Sequence, residues 1–302
     1  MKNSSVNRSP LFYVGDKYKL IEEIRSHFPA AIRHFVEPFV GGGSVYLNVD
    51  AEDFFLNDIN DEVIALHRML LSFKDKEEEF FSKVWKIVDH YGLSCSVRED
   101  RVPASLKEKY PKTYFAQFNR EAFMRLRNDY NSDRRDDPLT LYILLIYGFN
   151  RMLRFNKAGM YNLPVGNVDF NGNTVEALKS YFSLNRLKQS HWSSIDFETF
   201  TEGLDLSEED LVYLDPPYLI TFSEYNKLWN DDAEQRMLDM LGRLDRRGIR
   251  FAVSNVTHYK GKVNDRFIEW SQAYAVHPIK SNYISYHDNT IKKFNEVLVT
   301  NF

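Results

Sequence analysis

Leu211-Val212-Tyr213-Leu214-Asp215-Pro216-Pro217-Tyr218 decides how this chain is read. Four apolar residues run into an acid, two prolines and an aromatic ring, which is the pattern of a buried strand stopping at a rigid turn. The carboxyl end of a strand is where an open α/β sheet keeps its ligands. Proline fixes φ and donates no N–H, so the carbonyls of Asp215 and Pro216 remain acceptors beside the Asp215 carboxylate, with the Tyr218 ring close by. Two acceptors under a flat ring suit a planar base with an exocyclic amino group. Taken alone, the same four residues also describe an ordinary strand-ending turn with a surface tyrosine.

Working outward, Phe35-Val36-Glu37-Pro38-Phe39 followed by Val40-Gly41-Gly42-Gly43-Ser44 predicts a strand running into three glycines, where a ligand can approach the backbone. The spacing is not that of a dinucleotide fingerprint, because Tyr46 stands where the last glycine belongs, and this argues against a nicotinamide oxidoreductase. Phe54-Phe55-Leu56-Asn57-Asp58 predicts a second strand ending in an acid, placed to accept from ribose hydroxyls or to cap the helix predicted from Glu62 to Leu71. Trp192 to Phe197 predicts a third, with Phe197 either flanking an adenine ring or filling the core. Lys17 falls in the first turn of a helix predicted from Leu20, Ile21, Ile24 and Phe28, where a cation opposes the dipole; it serves either an external carboxylate or solvent.

At 302 residues, 43% of them hydrophobic, the chain buries a full core and accommodates one large domain with an insertion. A net charge of -4 excludes a globally basic nucleic-acid binder, so any such contact rests on local patches. The single cysteine, Cys95, excludes a disulfide framework and a cysteine-rich zinc site, and it lacks the preceding proline of a cytosine-C5 nucleophile. The histidines show no ligand spacing, and no metal is expected. No apolar run reaches membrane-spanning length, so a cytoplasmic protein without a membrane partner, monomeric in solution, is expected.

The middle of the chain is helical by pattern from Glu62 to Tyr130, broken at 91–113 by Gly92, Cys95, Pro103 and Pro111, a stretch expected to be a surface insertion. After an apolar helix predicted from Pro138 to Phe149, the character changes. No acid occurs between Asp137 and Asp169, whereas Arg151, Arg154 and Lys157 are interleaved with Asn150, Met152, Phe155 and Asn156. Asn156-Lys157-Ala158-Gly159 predicts a hairpin turn, closed by Leu163-Pro164-Val165-Gly166. A basic two-stranded ribbon fits a DNA major groove, although an exposed hairpin without that role has the same pattern. Near the C-terminus a further hairpin carries Lys280, Lys292 and Lys293 with Asn282 and Asn289 in its loop, a set suited to phosphates.

Together, Tyr13-x-Gly15-x-Lys17, Glu37 to Ser44, Asn57-Asp58 and Asp215-Pro216-Pro217-Tyr218 closely resemble the Dam-type DNA adenine-N6 methyltransferases, the α group or D12 class. The resemblance spans nearly the whole chain and looks nearest to the short phage Dam enzymes. It implies an α/β fold of the Rossmann-like class I methyltransferase kind, with a mostly parallel mixed sheet, an antiparallel C-terminal strand and an inserted, mainly helical target-recognition domain bearing a β-hairpin. The implied division is catalytic for 1–61 and 169–302 and recognition for 62–168. The resemblance implies S-adenosylmethionine as methyl donor and double-stranded DNA as partner. It carries Asp215, Pro216, Pro217 and Tyr218 over as the catalytic set. Tyr13, Lys17, Asp58 and Asp215 become cofactor contacts, with Gly41 and Gly43 in the loop and Phe39 and Phe197 packing alongside. Asn150, Arg151, Met152, Arg154 and Pro164 fall in a hairpin that reads GATC in the family. Arg154 there takes a guanine, Met152 and Pro164 line the central A·T pairs, and Asn150 sits where the duplex opens.

This chain departs from the family after Gly166, where Asn167-Val168 replace a basic residue found in many relatives, and 91–113 looks longer than in the short phage enzymes. Two other functions fit parts of the sequence. An N4-cytosine methyltransferase presents the same acceptors to another amine, but serine in place of Asp215 would favour it. A non-catalytic DNA-binding relative would not need Asp215 and Tyr218.

Overall fold

The computed structural model describes residues 6–133, 135–221, 229–280 and 294–302. Strands β1 (His34–Glu37), β2 (Asp53–Asn57), β3 (Ser190–Ser193), β4 (Leu211–Leu214), β5 (Arg250–Tyr259), β6 (Lys262–Val263), β7 (Ala275–Ile279) and β8 (Phe294–Thr300) form one sheet. Its order is β3-β2-β1-β4-β5-β8-β7, with β6 paired to β5. The first five strands are parallel to one another. The C-terminal strand β8 runs antiparallel between β5 and β7, as the sequence predicts.

Every residue of β4 is buried, because successive side chains feed two different cores. Leu211 and Tyr213 join Phe35, Phe54 and Leu56 on one face, whereas Val212 and Leu214 join Val36, Met237, Leu241 and Phe251 on the other. A strand covered on both faces has no polar alternation, which is why it reads as a continuous apolar run. Strand order reverses at β1, which has β2 on one side and β4 on the other. The carboxyl ends of β1 and β4 therefore flank the crevice where such sheets bind ligands.

The helices are α1 (Ile21–Ser26), α2 (Asp61–Ser72), α3 (Glu77–Tyr91), α4 (Ala104–Lys109), α5 (Tyr114–Asp133), α6 (Pro138–Tyr147), α7 (Gly172–Ser183), α8 (Phe197–Glu202), α9 (Asp231–Arg246) and α10 (Asp265–Ser271). Helix α6 is buried from Leu139 to Tyr147, so a helix apolar on every side forms the centre of the helical region. Asp137 caps it by accepting from the Leu139 N–H, and Pro138 takes its first position. Helices α2, α3 and α5 pack around it, and their apolar faces share one continuous core with β1 and β2.

Four expectations need correction. The strand expected from Trp192 to Phe197 stops at Ser193, because Asp196 caps α8 and Phe197 is its first residue. Helix α1 begins only at Ile21, so Lys17 precedes it in a turn and the dipole argument does not apply. The apolar helix ends at Tyr147, because Gly148 is extended and Phe149–Arg151 forms a 3-10 turn, with Asn150 and Arg151 left-handed at φ 53° and 50°. Residues 91–113 are anchored rather than a plain surface insertion. Leu93, Ser94, Cys95 and Val102 are buried, the Tyr147 hydroxyl donates to the Ser94 carbonyl at 2.6 Å, and the Ser96 N–H donates to Asp169 at 2.6 Å.

Candidate active site

The glycine loop after β1 is pinned from both sides. The Gly41 N–H donates to Asp58 Oδ2 at 2.9 Å, while the Gly41 carbonyl accepts from His67 Nε2 at 2.8 Å. Gly41 and Gly43 are left-handed at φ 46° and 76°, a conformation that glycine adopts without steric cost. Tyr13 lies against the loop so closely that a Cβ on Gly42 would sit 2.8 Å from its own Cβ. Asp58 ends β2 as predicted, yet it does not cap the next helix; Asn60 does, by accepting from the Val63 N–H, while Asp58 Oδ1 accepts from the Asn60 N–H at 3.0 Å. Burial raises the pKa of Asp58. Burial, reinforced by Asp215 and Asp58, holds Glu37 well above the usual carboxylate range beneath the loop, where its Oε2 accepts from the Tyr46 N–H.

At the end of β4 the side chains of Asp215 and Tyr218 meet two residues from distant parts of the chain. Lys17 Nζ lies 2.8 Å from Asp215 Oδ2 and 3.3 Å from Glu296 Oε1 on β8. The Tyr218 hydroxyl donates toward Asp215 Oδ1 at 2.8 Å and Glu296 Oε1 at 3.0 Å. Lys17 also sits 5.1 Å from the centre of the Tyr218 ring. Lys17 and Glu296 are 4% and 1% exposed, so this is a closed polar cluster under the turn. Burial raises the pKa of Asp215 against the opposing pull of Lys17, and burial also raises Tyr218 well above its ordinary value.

Around Asp58, the exposed apolar side chains of Ile59 (56%) and Ile195 (42%) stand at the carboxyl ends of β2 and β3. Phe39 packs against Phe197 at 5.2 Å and against Trp229 at 5.4 Å. An acid flanked by two exposed aliphatic side chains and a half-buried phenylalanine ring fits a nucleoside, so the residues present fit the cofactor implied by the sequence. Phe197 itself is nearly buried as the first residue of α8, with Arg236 5.1 Å from its ring centre. Among the described residues no group of His, Cys, Asp and Glu is arranged to hold a metal ion, and no helix is long and apolar enough to cross a membrane.

The basic segment forms a hairpin in minimal form, bridged at Gly148 to Val165 and Phe155 to Tyr161. Its turn is closed by Asn156, whose Oδ1 accepts from the Ala158 and Met160 N–H groups, with Gly159 at φ 69°. Asn131 of α5 anchors it through both amide groups to the backbone of Tyr161. Arg154 Nε donates to Asn162 Oδ1 at 2.8 Å, which fixes its guanidinium along the hairpin. The Arg151 guanidinium instead stacks on Phe12, 4.1 Å from the ring centre, and burial brings its pKa down to about 10. Asn150 and Pro164 are exposed and Met152 is half-buried. The base of the hairpin is thereby tied to the N-terminal segment that also delivers Tyr13 and Lys17. Lys292 and Lys293, with Asn282 and Asn289, lie outside the described residues.

Sequence reasoning missed Glu296, His67 and Trp229. The first two left a signal: an acid at the head of Val297-Leu298-Val299, and a histidine on the apolar face of α2 between Ile64 and Leu70. Trp229 left none.

A sheet of this order, with a glycine loop and an acid-Pro-Pro-Tyr turn at its switch point, has the Rossmann-like architecture of methyltransferases. The chain belongs to the D12 class N6 adenine-specific DNA methyltransferase family, whose model matches residues 13–286. It is 35% identical to the type II methyltransferase M.FokI of Planomicrobium okeanokoites, over all of this chain and 44% of that protein. It is 32% identical to the modification methylase StsI of Streptococcus sanguinis, over 98% of this chain and 43% of that one. The DNA adenine methylase of Escherichia coli K12 is 26% identical, over 97% of this chain and 94% of that enzyme. The chain thus spans less than half the length of the first two relatives. The expected nearness to short phage Dam enzymes is corrected, since higher identity falls on these long modification methylases than on a Dam enzyme.

Proposed function

We propose that this chain transfers a methyl group from S-adenosylmethionine to N6 of adenine in duplex DNA, within GATC. The observation that carries the reading is the pairing of β1 with β4, which sets a glycine loop pinned by Asp58 beside a turn bearing Asp215 and Tyr218. Residues 62–168 form the recognition part, with Arg154, Met152 and Pro164 on the hairpin facing the base pairs. Asp58, Ile59, Phe39 and the Gly41 to Gly43 loop would hold the cofactor.

S-adenosylmethionine, when bound, supplies an electrophilic methyl group; the remaining work belongs to the chain. Adenine N6 lies inside the duplex stack, so the base must be extruded before it is reached. The Tyr218 ring then replaces lost stacking, worth roughly 1 to 3 kcal/mol. Adenine N6 is a poor nucleophile because its lone pair is delocalised into the ring. Acceptance of its two N–H bonds by Asp215 Oδ1 and the Pro216 carbonyl favours tetrahedral nitrogen and frees that lone pair for attack. Nitrogen becomes positively charged as its new bond forms and must shed a proton, and Asp215, made more basic by burial, is placed to take it.

The test is incubation of duplex DNA with purified protein and labelled cofactor, followed by mass spectrometry of the nucleosides and sequencing of the modified sites. N6-methyladenine in GATC is expected. N4-methylcytosine, or no methylated base, would overturn the activity, whereas N6-methyladenine in another context would overturn only the sequence.

A further inference from the structure

The catalytic turn contains an unresolved competition, and Glu296 lies at its centre. In the reading above, Asp215 Oδ1 must accept an N–H of the extruded adenine. That same oxygen already accepts from the Tyr218 hydroxyl at 2.8 Å, which takes one of its two lone pairs, so a second donor would share the oxygen and each bond would be weaker than one made alone. A hydroxyl carries one hydrogen, and here two carboxylate oxygens lie within reach of it, the second being Glu296 Oε1 at 3.0 Å. An unpaired buried hydroxyl would be costly, so a base could not displace Tyr218 from Asp215 cheaply unless the hydroxyl had a second place to go.

We propose that Glu296 is a positioning residue that receives the Tyr218 hydroxyl when the adenine amino group takes Asp215 Oδ1. Tyr218 then changes its acceptor without losing a hydrogen bond. Glu296 has a second task, set by charge. Two carboxylates surround Lys17, at 2.8 and 3.3 Å, so a lysine that neutralises one still leaves the cluster with an excess negative charge. That excess faces the nitrogen on which positive charge develops. Glu296 is suited to both tasks because β8 is held between β5 and β7, with Glu296 in register with Val256 and Ile279. Its Oε2 is buried and has no hydrogen-bond partner among the described residues, so the carboxylate is not committed to the surrounding core.

The inference rests on the adenine-N6 reading, and the experiment separates the two. Wild type, Glu296→Gln, Glu296→Leu, Tyr218→Phe and the double variant Glu296→Leu/Tyr218→Phe are compared on a duplex carrying the site that the wild type methylates. Two quantities are read: kcat for methyl transfer, and permanganate reactivity of the thymine opposite the target adenine without cofactor, which reports extrusion of the base. Loss of a hydrogen bond to a charged group corresponds to about a ten- to hundredfold fall in kcat for Glu296→Leu. Glu296→Gln keeps an acceptor oxygen and the shape of the side chain, and should fall less.

The diagnostic result is the double variant. With the competing hydroxyl gone, thymine reactivity should recover and the loss caused by Glu296→Leu should shrink at least severalfold. Equal losses from Glu296→Leu in both tyrosine backgrounds, with unchanged thymine reactivity, would overturn the proposal and leave a structural role in β8. Wild-type kcat in Glu296→Leu would also overturn it, without touching the adenine-N6 reading. A wild-type protein that methylates no adenine would overturn both.

Discussion

Replacing Gly43 by alanine isolates what the glycine loop requires of its backbone. Gly43 has φ +76°, and a Cβ built there lies 2.3 Å from Tyr46 Cε1 and 3.0 Å from His67 Cε1. Tyr46 cannot retreat, because its ring is boxed by Phe54, His67 and Trp192 at 6.3, 6.1 and 5.5 Å between ring centres. A left-handed alanine costs roughly 1 to 2 kcal/mol, and overpacking a buried site roughly 1 to 3 kcal/mol more. Gly43→Ala should therefore lose about 2 to 5 kcal/mol in urea unfolding followed by circular dichroism. Gly172→Ala is the control, since a Cβ there meets no atom within 4 Å; it should be neutral or gain about 0.4 to 1 kcal/mol. A Gly43→Ala protein within about 0.5 kcal/mol of wild type would refute the steric account of the loop.

His67 gives a pH signature. Burial lowers its pKa from 6.5 to about 4, so the unfolded chain binds the extra proton first, and the contribution present above pH 6.5 is lost as pH falls toward 4. The stability difference between wild type and His67→Gln should move by about 2 kcal/mol toward the variant between pH 7 and pH 5; a difference independent of pH would count against a buried neutral imidazole. Asn167 Oδ1 accepts from the Phe115 and Ala116 N–H groups and so caps α5 from outside the helix. Asn167→Ala should cost about 1 kcal/mol in thermal unfolding and leave site preference unchanged; altered preference with unaltered stability would reverse that assignment. Arg154→Ala should relax discrimination at one G·C pair in a substrate panel, whereas a uniform loss on all sequences would make it a phosphate contact.

The sheet was legible because its central strands are buried on both faces, so Leu211 to Leu214 and Phe35-Val36 stand out as apolar runs that end in turn chemistry. The candidate site was legible where chemistry is local in sequence, as in Asp215 to Tyr218, the three glycines and Asp58. Partnership across the chain was not legible. Lys17 reads by sequence as serving either an external carboxylate or solvent, and nothing local to residue 17 reveals that folding brings Asp215 and Glu296 to its ammonium. The cap of α2 goes to Asn60 rather than Asp58, whose carboxylate accepts from the Gly41 N–H, a contact between the ends of two strands that are apart in sequence. Arg151 likewise counted as a DNA residue by composition, yet two consecutive left-handed residues turn it back onto Phe12.

The most direct measurement is methyl transfer by Asp215→Ala beside its DNA affinity, both against wild type on the same duplex. On the proposed reading the carboxylate orients N6 and the hairpin reads the flanking base pairs, so transfer should vanish while the DNA dissociation constant stays within about threefold, less than 1 kcal/mol. Retained methylation, or affinity lost together with activity, would contradict the claim that the end of β4 is where the amino group of the base is held.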